Sequence, residues 1–296
     1  MATARGQVRG TGTEAGHLPG ADGAEVARHY IAGAWIDPQD ATTAEVRDPA
    51  TGELVGRTAI GGPQDARAAL EAADRAFRGW ADTPAEDRAA ILRAAARLIR
   101  DRIMSISRLL TLEQGKPLPD ARKEIAFSAD TIDYYADLCT EVTPEERETT
   151  VPGFRSVVLR RPVGVVAAIA PWNYPVELLM WKIAPALAAG CTVAAKPAPE
   201  TPFAISSVVR CFEEAGLPSG ALNLVVGGGD VGEELATNPL SRAVKITAST
   251  ATGKRVMELA SRHLKRLTLE LGGQTPMIVL EDADLETVVP AAVRRS

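Results

Sequence analysis

From Val163 onward, short apolar segments of the sequence alternate with segments that have the length and composition of helices. Strands that are almost continuously apolar, with helices between them, are typical of a parallel sheet that is covered on both faces. We therefore predict an α/β fold, in which a Rossmann-like parallel sheet carries helices on both faces. The five predicted strands are residues 163–170, 191–196, 221–226, 242–247 and 266–271.

The residues before Val163 have a different pattern. An apolar run interrupted by Gly33 predicts a strand near the beginning. Two Ala-rich helices begin at Pro63 and Pro84, since proline is tolerated in the first turn of a helix. The second of these is expected to run to about Gln114. The remaining predictions are a helix over residues 119–138, an acidic linker or solvated loop over 141–148, and an exposed strand over 154–161.

Composition excludes several classes of protein. The chain has 296 residues, with 33 basic and 38 acidic side chains and a net charge of −5, which argues against a partner such as nucleic acid or an anionic membrane. No apolar stretch is long enough for a membrane span. Residues 1–25 lack the apolar core of a secretory signal and are expected to form a disordered leader. The three cysteines have neither disulfide nor metal spacing, which fits a reducing cytoplasm and buried structural thiols.

In parallel sheets of this kind, ligands bind beyond the carboxyl ends of the strands. Asn173 follows the first predicted strand and is held between Pro171 and Pro175. Its amide could stabilise an oxyanion, or it could cap the next helix. Lys196 ends the second strand. It could bind ribose hydroxyls or phosphate, or it could be a surface lysine at the start of a helix.

The fourth and fifth strands carry two further candidates. Ser249 begins a helix after the fourth strand, where free N–H groups and the helix dipole favour phosphate, although an ordinary N-cap is the alternative. Glu270 alternates with leucines in the fifth strand. A carboxylate buried among apolar residues should have a raised pKa, which suits a general base. The alternative is an acid that is solvated or paired with a base.

A glycine-rich loop follows the third strand at Gly227 to Gly232 and matches the pattern G-x-G-x-x-G. Three adjacent glycines satisfy this pattern easily. The acidic residue expected at the end of the next strand is also missing, because Lys245 and Thr247 stand there. We therefore do not assign a pyrophosphate to this loop.

Taken together and in order, these segments resemble the aldehyde dehydrogenase superfamily from about residue 29 to the end. The segments Glu113-Gln-Gly-Lys-Pro117 and Ala188-Ala-Gly-Cys191 look most like its succinate-semialdehyde dehydrogenase branch. The other matching segments are Pro171-Trp-Asn-Tyr-Pro175, Lys196-Pro197, Thr201-Pro202, Ser249-Thr250 with Gly253, Leu269-Glu-Leu-Gly-Gly273, Asp282-Ala-Asp284, and residues 30–35, 48–52, 184–190 and 214–218.

The resemblance implies oxidation of a small-molecule aldehyde to a carboxylic acid with NAD or NADP. In this family a cysteine thiolate attacks the aldehyde, hydride passes to the nicotinamide, and a glutamate-activated water hydrolyses the thioester. The resemblance makes Asn173 the oxyanion donor and Glu270 the general base. It also implies a set of cofactor-binding residues, which are Lys196 at the adenosine ribose, Ser249 at the pyrophosphate, Trp172 lining the cleft, and Ala170, Gly229 and Leu271.

This sequence departs from the family pattern at several positions. Ala248 replaces the glycine that usually precedes the pyrophosphate serine, and Gln274 replaces a common lysine. Pro199 stands where NAD-preferring members often have an acid, so the choice between NAD and NADP stays open. The family's nucleophilic cysteine lies well beyond the glutamate, whereas no cysteine follows Glu270 in this chain.

These features predict a domain organisation. Residues 26–148 and 163–271 are expected to form an NAD(P)-binding domain, and 149–162 part of an oligomerisation strand element whose closing strand is missing, although the family forms homo-oligomers. Residues 272–296 are expected to begin a catalytic domain that is mostly missing, with a strand over 276–280 and a helix over 284–293. We expect the chain alone to be inactive on aldehydes. The alternative is a non-catalytic nucleotide-binding homologue, or a fragment that acts through a partner chain.

Overall fold

The computed structural model describes residues 26–293, and the predicted leader over residues 1–25 lies outside this range. Within it, the main sheet has seven strands, of which five are parallel, as predicted. The parallel strands are β8 (Val165–Ile169), β9 (Thr192–Lys196), β10 (Leu222–Leu224), β11 (Ser241–Ala248) and β12 (Arg266–Leu271). Two antiparallel strands, β2 (His29–Ile31) and β3 (Ala34–Ile36), extend the sheet beyond β10.

Two smaller sheets accompany the main one. The first consists of β1 (Val26–Ala27), β5 (Leu54–Ala59) and β4 (Thr43–Arg47), in this spatial order. The second is an antiparallel hairpin of β6 (Glu145–Arg147) and β7 (Ser156–Val158). The strand predicted over 154–161 is thus present in its central part. The linker predicted over 141–148 was wrong in part, because pairing with β7 turns its charged second half into a strand.

Helices pack on both faces of the main sheet, as predicted. Along β8, the side chains of Val166 and Ala168 join one apolar cluster, and those of Val165, Ala167 and Ile169 join another. The first cluster contains residues of α2 (Ala85–Asp101), α3 (Ile103–Gln114), α4 (Leu118–Glu141), α5 (Glu177–Ala188) and α6 (Phe203–Glu214). The second contains residues of α1 (Pro63–Asp82), α7 (Gly229–Thr237) and α8 (Thr250–Ser261).

The single helix predicted between Pro84 and Gln114 was wrong, because the chain breaks it at Arg102. This residue has φ −105° and ψ 12°, outside the helical region. Its guanidinium forms two hydrogen bonds with the carboxylate of Glu214, at 2.8 and 2.5 Å. The break therefore coincides with a contact to the end of α6, which local sequence does not reveal.

The segment after β12 matches the sequence prediction only in part. The predicted helix is present as α9 (Leu285–Val293). The strand predicted over 276–280 was wrong, since these residues have no sheet partner within the described range, and Ile278 is 79% exposed. A strand needs a neighbour to satisfy its backbone donors and acceptors. No helix in residues 26–293 has the length and apolar character needed to cross a membrane.

Candidate functional site

The order of the parallel strands creates a crevice at one edge of the sheet. From β8 the chain continues to β9 and β10 on one side, and then returns to place β11 and β12 on the other side. At such a switch point the loops after the two central strands diverge, and ligands bind between them. The loop after β8 carries Asn173, and the loop after β11 carries Ser249. Two sequence-predicted residues therefore flank the same crevice.

The loop that carries Asn173 is held by side chains from the α3–α4 region. The backbone carbonyl of Asn173 accepts a hydrogen bond from Lys116 Nζ at 2.9 Å and one from Gln114 Nε2 at 3.4 Å. The Lys116 ammonium also lies 3.6 Å from the centroid of the Tyr174 ring. A cation over an aromatic face is attracted to it. These contacts fix the loop backbone, while the Asn173 residue itself stays exposed.

Asn173 does not cap the following helix, so that alternative was wrong. The carboxylate of Glu124 takes this role, because its Oε1 accepts hydrogen bonds from Val176 N at 3.0 Å and Glu177 N at 3.2 Å. The other oxygen of Glu124 is paired with Lys116 Nζ at 2.5 Å. Both side chains of this pair are buried, at 0% and 9% exposure. The amide of Asn173 is thus available for another partner.

Lys196 ends β9 and is 9% exposed, so the alternative of a surface lysine was wrong. Its Nζ donates a long hydrogen bond of 3.3 Å to the carbonyl of Pro197. Burial lowers the pKa of Lys196, and the negative charges of Glu200 and Asp230 oppose this effect. Because an ammonium has three donors, it can still donate to a ligand in the crevice.

The glycine-rich loop leads directly into α7. A Cβ added at Gly227 would lie 2.7 Å from the carbonyl oxygen of Gly61, so the close approach of two backbones explains this glycine. Beside Gly229 the space is open, with no atom within 4 Å of an added Cβ. Gly228 stands at the N-cap of α7, where it offers no side-chain hydrogen bond. The loop therefore leaves the first turn of α7 uncovered.

Ser249 is the N-cap of α8, as one of the two sequence interpretations proposed. Its Oγ accepts a hydrogen bond from Thr252 N at 3.2 Å. The side chain of Leu271 lies against the same turn, because a Cβ added at Gly253 would be 2.4 Å from it. Ala170, at the end of β8, is buried, and its backbone N–H donates to the carbonyl of Lys196 at 3.2 Å. Binding of phosphate at Ser249 stays a prediction.

Glu270 is exposed, so of the two sequence interpretations the solvated acid is correct and the buried carboxylate was wrong. The alternation itself is as predicted, since Leu267 and Leu269 are half-buried against the core while Thr268 and Glu270 are exposed. The reason is the position of β12 at the edge of the sheet, where Glu270 borders an open pocket instead of packed side chains. The role of Glu270 as a general base stays a prediction.

Trp172 is 54% exposed and lines a pocket of about 340 Å³ together with Glu200 and Thr201. The three cysteines lie elsewhere and are buried, as expected for structural thiols. Within residues 26–293 no cluster of His, Cys, Asp and Glu could hold a metal ion.

Sequence reasoning missed Lys182, which lies in α5 and is 5% exposed. Its Nζ donates hydrogen bonds to the carbonyl of Leu178 at 2.9 Å and to Thr247 Oγ1 at 2.7 Å. Burial lowers the pKa of Lys182 to about 8, with a further lowering by Lys245 and an opposing effect of Glu270. A lysine within the otherwise apolar run 178–188 was the signal that could have identified it.

The sequence pattern of the aldehyde dehydrogenase family matches residues 35–296, which is most of the chain. The chain belongs to this family. It is 41% identical over 265 residues to a glutarate-semialdehyde dehydrogenase of Pseudomonas putida, and 40% identical over 268 residues to an NADP⁺-dependent succinate-semialdehyde dehydrogenase of Escherichia coli. Each alignment covers 89% of this chain and 55% of the relative. This aldehyde dehydrogenase chain thus spans about half the length of these curated relatives.

Solved structures of the family have the same fold. An NADP-dependent enzyme of E. coli matches with a TM-score of 0.88 at 39% identity, over 90% of this chain and 56% of that one. A betaine aldehyde dehydrogenase of Staphylococcus aureus in complex with NAD⁺ matches with a TM-score of 0.88 at 35% identity, over 90% and 54% of the two chains. The α/β prediction and the family resemblance are therefore both confirmed.

Proposed function

We propose that this chain is the cofactor-binding part of an NAD(P)⁺-dependent aldehyde dehydrogenase, which oxidises a small-molecule aldehyde to a carboxylic acid. One observation carries the proposal: Asn173, Lys196, Ser249 and Glu270 all lie at the carboxyl edge of the parallel sheet, on the strands or loops around its switch point. The names of the relatives suggest semialdehydes as the substrate class.

The residues at this edge fit a dinucleotide. Lys196 offers a buried ammonium for the adenosine ribose, and the N-terminus of α8 at Ser249 offers free N–H groups for the pyrophosphate. The open space beside Gly229 leaves room for the cofactor. When bound, NAD(P)⁺ would supply the hydride acceptor. The remaining proposed contacts are the exposed indole of Trp172 and the walls formed by Ala170 and Leu271.

Asn173 and Glu270 would act on the aldehyde and on water, respectively. The Asn173 amide would donate a hydrogen bond to the carbonyl oxygen as negative charge develops there. The carboxylate of Glu270 would accept a proton from the attacking water. Only β11 separates the strand of Glu270 from the strand that precedes Asn173, because β12 pairs with β11 and β11 pairs with β8.

The nucleophile must come from outside the three cysteines of this chain. Burial raises the pKa of Cys139 and Cys191, and raises that of Cys211 to about 11. Such thiols are protonated and unreactive at neutral pH. We propose that residues from 272 onward begin the catalytic domain, and that the β6–β7 hairpin belongs to an oligomerisation element that includes 149–162.

A second candidate is a nucleotide-binding chain that acts through a partner. Apolar side chains are exposed along the segment after β12, which favours association with another surface. They include Ile278, Leu280, Leu285 and Val293, which are between 65% and 79% exposed. In this case the partner would supply the nucleophile.

The proposal is tested by titrating the purified chain with NAD⁺ and NADP⁺ and following tryptophan fluorescence. We expect saturable binding that weakens at least about tenfold in Lys196→Met, since a hydrogen bond from a charged donor contributes about 1.5–3 kcal/mol. The control is Lys254→Met on the exposed face of α8, which should bind like the parent. Absence of binding to either nucleotide would contradict the proposal. NAD(P)H formed from aldehyde by the chain alone, and abolished by Glu270→Ala, would contradict the assignment of the nucleophile to another region.

A further inference from the structure

Lys182 has no part in the function proposed above, although it lines the pocket that borders Glu270. This pocket has a volume of about 510 Å³ and lies between α4, α5 and the strands β11 and β12. Four aromatic side chains supply much of its apolar surface, namely Phe127, Tyr134, Tyr135 and Trp181. A pocket of apolar walls with a few polar groups is typical of a binding site for a small organic molecule.

The two hydrogen bonds of Lys182 leave one position of its nitrogen open. The acceptors are the carbonyl of Leu178 and the hydroxyl of Thr247, at 2.9 and 2.7 Å. A charged ammonium has a third N–H, whereas a neutral amine has two N–H groups and a lone pair. After losing one proton, Lys182 can keep both hydrogen bonds while its lone pair points away from both acceptors.

Burial of Lys182 favours the neutral amine at mildly basic pH. Burial and the neighbouring charge of Lys245 lower its pKa to about 8, against the opposing charge of Glu270. Asp130 also lines the pocket. Desolvation and a neighbouring cation are the two devices that activate lysines for attack on carbonyl groups. Exposed lysines keep pKa values near about 10.4 and are mostly protonated at the same pH.

We propose that Lys182 condenses reversibly with an apolar or aromatic aldehyde in this pocket to form an imine. The nitrogen lone pair attacks the carbonyl carbon, and the C=O electron pair moves to oxygen, which takes up a proton. The resulting carbinolamine loses its hydroxyl with a proton from nitrogen as one molecule of water, and a C=N bond remains. Nothing is oxidised or reduced. The step uses the aldehyde of the proposed function but needs neither cofactor nor thiol.

The probe is benzaldehyde, with sodium cyanoborohydride to reduce the imine to a stable benzylamine on the full chain. Proteolysis and mass spectrometry then locate each benzyl group. Lys265 is the matched control within the same molecule. Burial also lowers its pKa to about 8, but it lies at the amino end of β12 and donates to Ser241 Oγ at 2.7 Å. We expect at least about tenfold more label on Lys182, because the ring is buried in the pocket.

The pH dependence of labelling and three variants complete the test. Labelling of Lys182 should rise through pH 8, well before that of exposed lysines. Lys182→Met and Lys182→Arg should lose the label at this position, whereas Lys265→Met should leave it unchanged. Three outcomes would overturn the proposal: equal labelling of Lys182 and Lys265, labelling at Lys245 instead of Lys182, or no label at Lys182 in the chain without substitutions. Titration with NAD(P)⁺ is independent of these results, so the failure of one proposal is distinguishable from the failure of the other.

Discussion

Four helices that follow the parallel strands begin near the carboxyl edge of the sheet. The first N–H groups of these helices find their hydrogen-bond acceptors in two different ways. In one region, buried glutamate side chains from other helices cap α5 and α6. Glu124 of α4 accepts from the first N–H groups of α5, and Glu113 of α3 accepts from Phe203 N at 2.6 Å and Ala204 N at 3.0 Å. In the other region, α7 begins at Gly228 without a side-chain cap, and α8 is capped by its own exposed Ser249.

We interpret this difference as a separation between structural roles and the ligand-binding roles proposed above. A helix N-terminus carries partial positive charge, which a carboxylate or a phosphate can neutralise. Side chains of the protein itself accept hydrogen bonds from the first N–H groups of α5 and α6, and Glu124 thereby helps to fix the loop that carries Asn173. The protein leaves α7 and α8 open, on either side of the crevice where we place the cofactor. Substitutions in the first region should therefore affect stability, whereas those in the second should mainly affect nucleotide binding.

The largest effect is expected from Lys116→Met in the first region. This change leaves Glu124 buried without its counterion, and it also removes a hydrogen bond to the Asn173 carbonyl. Breaking a buried ion pair by removing one partner costs about 3–5 kcal/mol. The loss should appear in the free energy of unfolding measured with urea.

Lys123→Met is the matched control for this variant. Lys123 pairs with Asp120 at 2.8 Å, but the two side chains are 78% and 55% exposed. An exposed pair of this kind contributes about 0.2–1 kcal/mol. If the two variants lose equal stability, Lys116 does not act as a buried counterion, and the first region is not held in the way described.

The next largest effect is expected at Glu113, where stability should depend on pH. Burial raises its pKa from 4.5 to about 8, and this outweighs the two backbone hydrogen bonds that act in the opposite direction. The folded state therefore holds a proton that the unfolded state releases between these pH values. Stability contributed by this group should fall as pH rises from about 4.5 to about 8, by at most about 1.4 kcal/mol per pH unit. Urea unfolding at pH 6 and 7, compared with Glu113→Gln, measures this difference.

Glu214→Gln provides a control of opposite sign. The hydrogen bonds from Arg102 lower the pKa of Glu214, so its contribution to stability is lost only as pH falls below the ordinary value of 4.5. Between pH 6 and 7 this variant should therefore have the same pH slope as the parent. If Glu113→Gln has the same dependence of unfolding free energy on pH as the parent, Glu113 is ionised in the folded chain.

The sequence predicted those parts of the molecule that depend on local pattern. The five parallel strands follow from continuous apolar runs, and the helices between them follow from chain length and caps. Asn173, Lys196, Ser249 and Glu270 were proposed as candidates because each stands at a strand end, and the fold does bring these positions to one edge of the sheet. Family membership, which rests on motifs in a fixed order, was predicted for the same reason.

The failures concern contacts between distant residues. The break at Arg102 coincides with a pairing to Glu214, far along the chain. The exposure of Glu270 depends on what covers an edge strand, which alternation of leucines does not specify. Lys182 was missed because its partner Thr247 lies 65 positions away. Helix capping by Glu113 and Glu124 was also not foreseen, since sequence rules look for the cap within the helix itself.

The smallest effect on stability is expected in the second region, at Ser249. Ser249→Ala removes the cap hydrogen bond from Thr252 N and should cost about 1 kcal/mol, whereas Ser249→Gly should cost only a few tenths. Both changes remove the hydroxyl, so both should weaken NAD(P)⁺ binding to the same extent if the hydroxyl contacts the pyrophosphate. Affinity and stability would then respond differently to the same pair of variants. If neither variant changes the affinity for NAD(P)⁺, the phosphates bind away from α8. If the affinity falls only in Ser249→Ala, in parallel with its stability, Ser249 acts as an ordinary helix cap.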